Sequence, residues 1–497
     1  MEKLPYDKTN AQSIETYAKK LIGLTFLEVI RHSQYISANE DVADKYLEIT
    51  EEYGNKNRKG GLGNLLEEVY FGYQANSNPK ADFEEAGIEL KVTPFEYTKK
   101  GAIRAGERLV LTMIDYNGPI EPDLYKSHLW EKCRLILLIY YWRNKKLENN
   151  LLYLIKYVML FTPSKTDLAI IENDYKIITQ KIINGKAEEL SESDTFYLGA
   201  CTKGSTAKKS IARQYYPPHT PAKKRAFCYK LTYMTYVLNK YIVPNQENCE
   251  PLIKDVNELQ NKTFADYVTE KINSFRGKTD KELCLMFNRE YNNNKAQWVD
   301  LTYRMLGIKS NKAEEFQKAN VVVKVIRLEE NGKMRESMSF PPFKYKEIIN
   351  ESWEESSLYN YFEETKFLFV VFKKLSDYYV LYGCKLWNMP YADLNNDVMQ
   401  GWKAVVNTIK KGIQFSIKQT KSGTLVQNNL PKKADNRIVH VRPHASKSYF
   451  ESIDGTVIGS GSRSNANQLP DGTWMTNYSF WINNDYILTQ IESLYKK

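Results

Sequence analysis

Asp82 stands a short turn ahead of the triplet Glu89-Leu90-Lys91. On an extended strand, side chains two apart share a face, so Glu89 and Lys91 project together while Ile88 and Leu90 enter the core. Asp82, in the turn or strand before, can approach Glu89. Two carboxylates held close repel unless a cation lies between them, and hard oxygen donors favour magnesium. Such an ion polarises a phosphate and lowers the pKa of a bound water. A lysine alongside, Lys91, can orient that water or stabilise developing charge. The chemistry implied is hydrolysis of a phosphodiester, where positioning and electrostatics supply most of the rate. Glu-x-Lys triplets also arise on ordinary solvated strands, and taken alone this one leaves that reading open.

A second feature concerns what such a site would act on. From Thr195 to Gln246 there is no Asp or Glu, but there are nine basic residues: Lys203, Lys208, Lys209, Arg213, Lys223, Lys224, Arg225, Lys230 and Lys240. Tyr197, Tyr215, Tyr216, Phe227, Tyr229, Tyr233 and Tyr236 are interleaved with them. A solvated basic face normally mixes in acids, because like charges repel, so a tract purged of acid reads as a nucleic-acid footprint. Between Val398 and Phe450 lie ten Lys or Arg residues and one acid, Asp435. The net charge of +10 agrees in sign with a polyanionic partner.

The elements that must position these residues follow from periodicity. The first 70 residues read as helical, with Gly23 as a break and Thr25 as a cap whose reciprocal partner is Glu28. A second helix is predicted over 62–71. Strands are predicted at Ile88–Val92, Arg108–Ile114 and Leu135–Trp142. Ser164 and Asp167 have capping-box spacing before a helix over 168–184 that Gly185 ends, and a further helix is predicted over 227–241. Gly60-Gly61-Leu62-Gly63 lacks the following Lys-Ser/Thr and the preceding strand of a phosphate loop.

The same order then recurs, which predicts a duplicated domain. Gly277 to Glu282 echoes Gly23 to Glu28, an offset of 254 residues. Glu315-Phe316 and Val321–Val325 echo Asp82-Phe83 and Ile88–Val92 at an offset of 233. Phe367–Val371 echoes Leu135–Ile139, and Phe480 with Tyr486 echoes Phe227 with Tyr233. The division expected is a first domain over 1–243, a linker over 244–261 and a second domain over 262–497, which suits a chain of 497 residues. Aligned on Lys324, the counterpart of Glu89 is Val322, and that of Lys132 falls on or near Glu364. Valine cannot bind magnesium, so the second copy is expected to bind DNA without cutting it.

Composition sets the remaining bounds. Apolar residues make up 42% of the chain, enough for sizeable cores, and the charged fraction of 26% is ordinary for a soluble protein. The six cysteines are scattered, without metal-ligand spacing, and read as reduced thiols. Neither a signal-peptide run nor an apolar stretch long enough to cross a bilayer is visible, so a soluble, cytoplasmic protein is expected.

These residues resemble the MutH-like family, which includes a mismatch-repair nickase and GATC-cutting type II restriction endonucleases. The segments that carry the resemblance are Gly63–Gly72, Ala81-Asp82-Phe83 with Ala86–Lys91, and Glu107–Leu111. Lys132, Tyr197-Leu198 with Lys203, and Phe227–Leu238 continue it, and Arg442-Pro443-His444 and Phe480–Tyr486 are similar to the restriction branch. The resemblance implies a PD-(D/E)xK nuclease fold, a mixed α/β sheet flanked by helices and present here twice. It implies metal binding by Asp82 and Glu89, a catalytic Lys91, a further lysine at Lys132, and a helix glutamate at Glu67, with Glu68 the alternative because the chain is one residue longer there. Ala81 replaces the proline of the motif. DNA contacts are implied for Lys203, for Arg442 and His444 in the second copy, and for the basic residues Arg108, Lys208, Lys209 and Lys230. The activity implied is Mg²⁺-dependent cleavage of double-stranded DNA at GATC, before the G, leaving 5′ overhangs. A strand-nicking repair enzyme and a non-catalytic DNA-binding regulator are the alternatives. A monomer, or a dimer or two-site engagement on DNA, is compatible with all three.

Overall fold

Seven consecutive apolar or aromatic residues, Ile136–Trp142, suit a strand covered on both faces, and they form a central strand of a sheet. The computed structural model describes residues 4–32, 42–54, 61–73, 80–98, 100–203, 210–242, 249–292, 294–309, 312–420 and 423–495. It comprises two units: Met1–Thr263 with Glu314–Asn320, and Phe264–Ala313 with Val321–Lys497. The architecture is α/β, with mixed sheets and flanking helices.

In the first unit, strand β1 (Glu89–Tyr97) pairs antiparallel with β2 (Ile103–Ala105). A third strand, β3 (Leu109–Met113), leaves this sheet. β1 runs parallel to β4 (Ile136–Trp142), with Glu89 opposite Ile136 and Lys91 opposite Leu138, and β4 pairs antiparallel with β5 (Leu154–Phe161). The sheet order is thus β2-β1-β4-β5. One face, with Ile88, Leu90, Leu137 and Ile139, is buried beneath the helices Ala11–Ala18, Phe26–His32 and Gly61–Leu65. Thr25 and Glu28 form the predicted reciprocal cap. Gly23 takes φ +91 and its N–H donates to Ile155 O, which ties the helical entry to β5. A second sheet has the order β3-β7-β6, where β6 is Leu198–Thr202 and β7 is Arg225–Tyr229. The helix Lys165–Ile183 crosses between β5 and β6, capped by Ser164.

The second unit repeats this plan. β8 (Val321–Leu328) runs parallel to β10 (Lys366–Leu375), which pairs antiparallel with β11 (Tyr378–Trp387). β9 (Met338–Pro342), β13 (Tyr478–Ile482) and β12 (Val439–Pro443) form the second sheet in the order β9-β13-β12. Gly277, at φ +87, donates to Leu381 O, and Thr279 and Glu282 form the same reciprocal cap seen at Thr25 and Glu28. This unit also has a hairpin that pairs Phe415–Thr420 with Gly423–Asn428 and a small sheet within 450–476.

Three elements differ from the sequence reading. The helix predicted over 227–241 is strand β7, followed by a helix, Leu231–Val237, and a π-helical turn, Leu238–Ile242. Its first residues are buried on all sides, and a short apolar run carries no periodicity to separate strand from helix. The helix predicted over 62–71 ends at Leu65 and continues as a π-helical turn, Leu66–Tyr70. Last, Glu314–Asn320 folds with the first unit although the sequence places it in the second half. There Lys318, 3% exposed, pairs with Asp167 Oδ1 at 2.6 Å and with Glu314 at 2.8 Å. Asp167 accordingly turns toward Lys318 and the Tyr233 hydroxyl rather than completing the predicted cap.

Candidate active site

Asp82 sits in a turn that doubles the chain back onto β1: Phe83 and Ile88 exchange backbone hydrogen bonds, and Gly87 takes φ +66 at the bend. The turn brings one Asp82 oxygen to the N–H of Leu90 at 2.8 Å, beside Glu89. Glu89 is only 3% exposed, although it lies on the face opposite the apolar core. Lysines on two different elements close over it. Lys91 Nζ is 2.7 Å from Oε1, and Lys132 Nζ is 2.9 Å from Oε2. Lys132 arrives from the helix His128–Cys133 and also donates to Lys80 O at 2.5 Å, while Lys91 donates to Leu111 O at 3.4 Å.

The π-helical turn supplies the remaining acid. A π turn accommodates one residue more than an α turn of the same span, and such bulges are frequent at functional sites. It resolves which glutamate faces the site. Glu68 Oε2 is held by the Tyr53 hydroxyl at 2.7 Å. Glu67 instead lies in the field of Asp82 and Glu89: burial, then those two charges, push its carboxyl up to about 7. Burial and Glu89 raise Asp82 to about 6. Three carboxylates short of positive charge form an all-oxygen donor set, the kind that hard divalent cations take. As placed, among the described residues no group of three His, Cys, Asp or Glu closes into a finished cage. Both oxygens of Glu89 are occupied by ammonium groups. The residues fit a divalent cation once one of those lysines yields its oxygen. Sequence reasoning missed Tyr73, whose buried hydroxyl has no hydrogen-bond partner among the described residues and is pushed above its usual value by burial and by Asp82 and Glu67. No spacing in the sequence points to it.

The second unit has different residues at the matching positions. Glu89 pairs with Ile136 across the parallel ladder, and Val322 pairs with Phe367. Counting back four residues from each partner sets Lys132 against Glu363, one position from Glu364. The counterpart of Asp82, Glu315, itself folds with the first unit, where it accepts hydrogen bonds from the N–H groups of Leu252 and Ile253.

Comparison with known proteins places the chain. Residues 71–174 match the model of the family described as DNA mismatch repair enzyme MutH. The type II restriction enzyme Sau3AI of Staphylococcus aureus is 35% identical over 495 residues, covering 92% of this chain and 97% of that protein. The chain belongs to the MutH-like type II restriction endonucleases. Two mismatch repair proteins MutH cover only part of the endonuclease. That of Vibrio cholerae is 25% identical over 47% of this chain and 97% of its own length, and that of Vibrio vulnificus is 26% identical over 41% and 81%.

The basic residues of the endonuclease fall into two groups. Lys203 follows β6 half-buried, its N–H donating to Lys224 O, and Arg213 and Lys224 are exposed. Arg442 and His444 are exposed on and just after β12, the counterpart of β6. Arg442 stacks over Trp481, 5.2 Å from its ring centre, and His444 Nδ1 lies 3.1 Å from Ser479 Oγ. Arg108 is only partly exposed and pairs with the buried Glu192. Lys208 and Lys209 lie outside the described residues. Lys230 does not face DNA: it is 3% exposed, donates to Thr195 O at 2.5 Å and balances the buried Asp174. The acid-free tract is therefore partly core. Tyr197, Tyr229 and Tyr233 are fully buried against one another, and Lys240 finds its acid in Glu314, from outside the tract. Among the described residues no helix is long and apolar enough to cross a membrane.

Proposed function

We propose that this endonuclease hydrolyses phosphodiester bonds of double-stranded DNA at GATC, before the G, leaving 5′ overhangs, with Mg²⁺ as cofactor and in the cytoplasm. The first unit cuts, and the second engages DNA as a regulatory or second-site module. The observation that carries this reading is the convergence of Asp82, Glu89, Lys91, Lys132 and Glu67 in one unit, against Val322 and Glu363 at the matching positions of the other. A cation held by Asp82 and Glu89, with Glu67 beside them, supplies Lewis-acid polarisation of the phosphate when bound. Lys91 then has a free ammonium beside the scissile group, able to orient the attacking water or to offset charge developing on phosphate oxygens. Glu67, with a proton affinity near neutral, can accept a proton at its carboxylate. Lys132 holds the buried Glu89 carboxylate in place.

Relatedness along both halves to a restriction enzyme, where the MutH proteins span one half, favours double-strand cleavage over nicking. The test is digestion of a sequenced plasmid with Mg²⁺, with and without adenine methylation, followed by sequencing of the ends. Linear fragments ending at GATC are expected. Intact plasmid overturns the assignment, and open circles that never become linear support the nicking alternative instead.

A further inference from the structure

A cavity of about 520 Å³ lies beside β8 in the second unit, and Lys324 is among the residues that line it. Residues 323–327 of β8 line it, and Leu328 at the end of the strand bridges to Met334.

Its charges do not cancel. Four cations line the cavity, Lys295, Lys324, Arg327 and Arg335, with two acids, Glu329 and Glu336. The acids are already engaged, Glu329 with Arg335 at 2.7 Å and Glu336 with Lys295 at 3.8 Å. Among the described residues neither Lys324 nor Arg327 has a carboxylate partner. Lys324 is the counterpart of Lys91, and it has lost the acid that Lys91 holds, because Val322 stands where Glu89 would. Glu363, acidic where the first unit has Lys132, does not replace it: burial alone acts on the Lys324 ammonium, depressing its proton affinity. Arg327 is held by ring faces instead, 5.4 Å from Trp298 and 6.0 Å from Tyr379. Ring stacking fixes a guanidinium without consuming its N–H donors. A groove with two cations unpaired by acid, one desolvated and one pre-oriented, is built for an extended anion.

We propose that this groove seats the phosphodiester backbone of a DNA strand without a metal ion, Lys324 and Arg327 supplying the charge. The proposal rests on the reading that the second unit engages DNA, and names the surface by which it does so. Free phosphate shares the chemistry, and the experiment separates the two sources.

The full-length Glu89→Gln protein, in EDTA, is treated with an amine-acylating reagent, and modification at Lys324 is followed by mass spectrometry. This is done alone, with a saturating GATC duplex, and with inorganic phosphate. Several-fold protection by the duplex at low salt, without any divalent cation, is expected. In parallel, Lys324→Gln and Arg327→Gln should each lower the slope of log affinity against log salt by about 0.9, the loss of one phosphate contact. Lys324→Arg, which keeps the charge, should restore it, separating loss of the contact from loss of folding. Unchanged acylation of Lys324 while anisotropy shows the duplex fully bound overturns the groove and leaves DNA binding intact. Protection by phosphate but not by duplex also overturns it, in favour of a free-anion site. Failure of the duplex to bind at all overturns the underlying reading itself.

Discussion

Replacing Asp82 by Asn should end cleavage and yet stabilise the cation-free protein. The Asp82 carboxyl is raised from 3.8 to about 6, first by burial and then by Glu89. A tenfold displacement is worth about 1.4 kcal/mol, so the whole displacement sets a ceiling of about 3 kcal/mol. Solvent reaches part of the side chain and screens it, leaving about 1–2 kcal/mol. The unfolded chain releases this proton near pH 4 and the folded chain near pH 6. Between those values the folded state holds more protons, so stability falls as pH rises through the window, and above it the cost is complete. Asparagine keeps an oxygen for the Leu90 N–H and removes the charge. Thermal unfolding in EDTA, from pH 4.5 to pH 8, is the assay. The variant's midpoint should exceed the parent's by about 2–4 °C for each kcal/mol, with the gap opening up to about pH 6 and constant beyond. Saturating Mg²⁺ should then raise the parent more than the variant, since only the parent keeps the full donor set. A variant no more stable than the parent at pH 8, or a gap indifferent to pH, refutes the account.

Other outcomes follow from the same geometry. Glu89→Gln removes the acid that both lysines hold. It should reduce plasmid cleavage at least about a hundredfold while duplex affinity in EDTA stays within about threefold; retained cleavage would remove Glu89 from the site. Lys230→Met should cost about 3 kcal/mol in urea unfolding by leaving Asp174 without its buried counter-charge, and should not alter the salt dependence of DNA binding. Lys203→Gln should do the reverse, lowering the salt slope by about 0.9 with little change in stability. Lys318→Met should destabilise the first unit by about 3–5 kcal/mol, read as an earlier thermal transition, because Asp167 is 2% exposed and loses its ion pair.

The candidate site pair was legible because a strand makes spacing into geometry: Glu89 and Lys91 had to share a face, and Ile88 and Leu90 had to fill the other. The caps at Thr25 and Thr279 were equally readable, being local. What the sequence concealed was burial. Lys230 and Arg225 have the same charge as Lys203 and Lys224, and only the tertiary fold takes them inside, to Thr195 O and Ala200 O. Nor could spacing choose between Glu67 and Glu68. That depended on a π turn and on Tyr53, a residue on another helix whose hydroxyl claims Glu68. The repeat was visible in the order of its motifs, whereas the non-sequential membership of Glu314–Asn320 was not, because nothing in a helix of six residues states which core it will join.

That short helix has a consequence for biosynthesis. The ammonium that neutralises Asp167 is translated some 150 residues after it, once the first fifty residues of the other unit have already emerged. A ribosome that stalls near residue 263 releases a first unit whose buried Asp167 lacks its ion-pair partner. The first unit's buried ion pair therefore forms only in chains that have already begun the second unit.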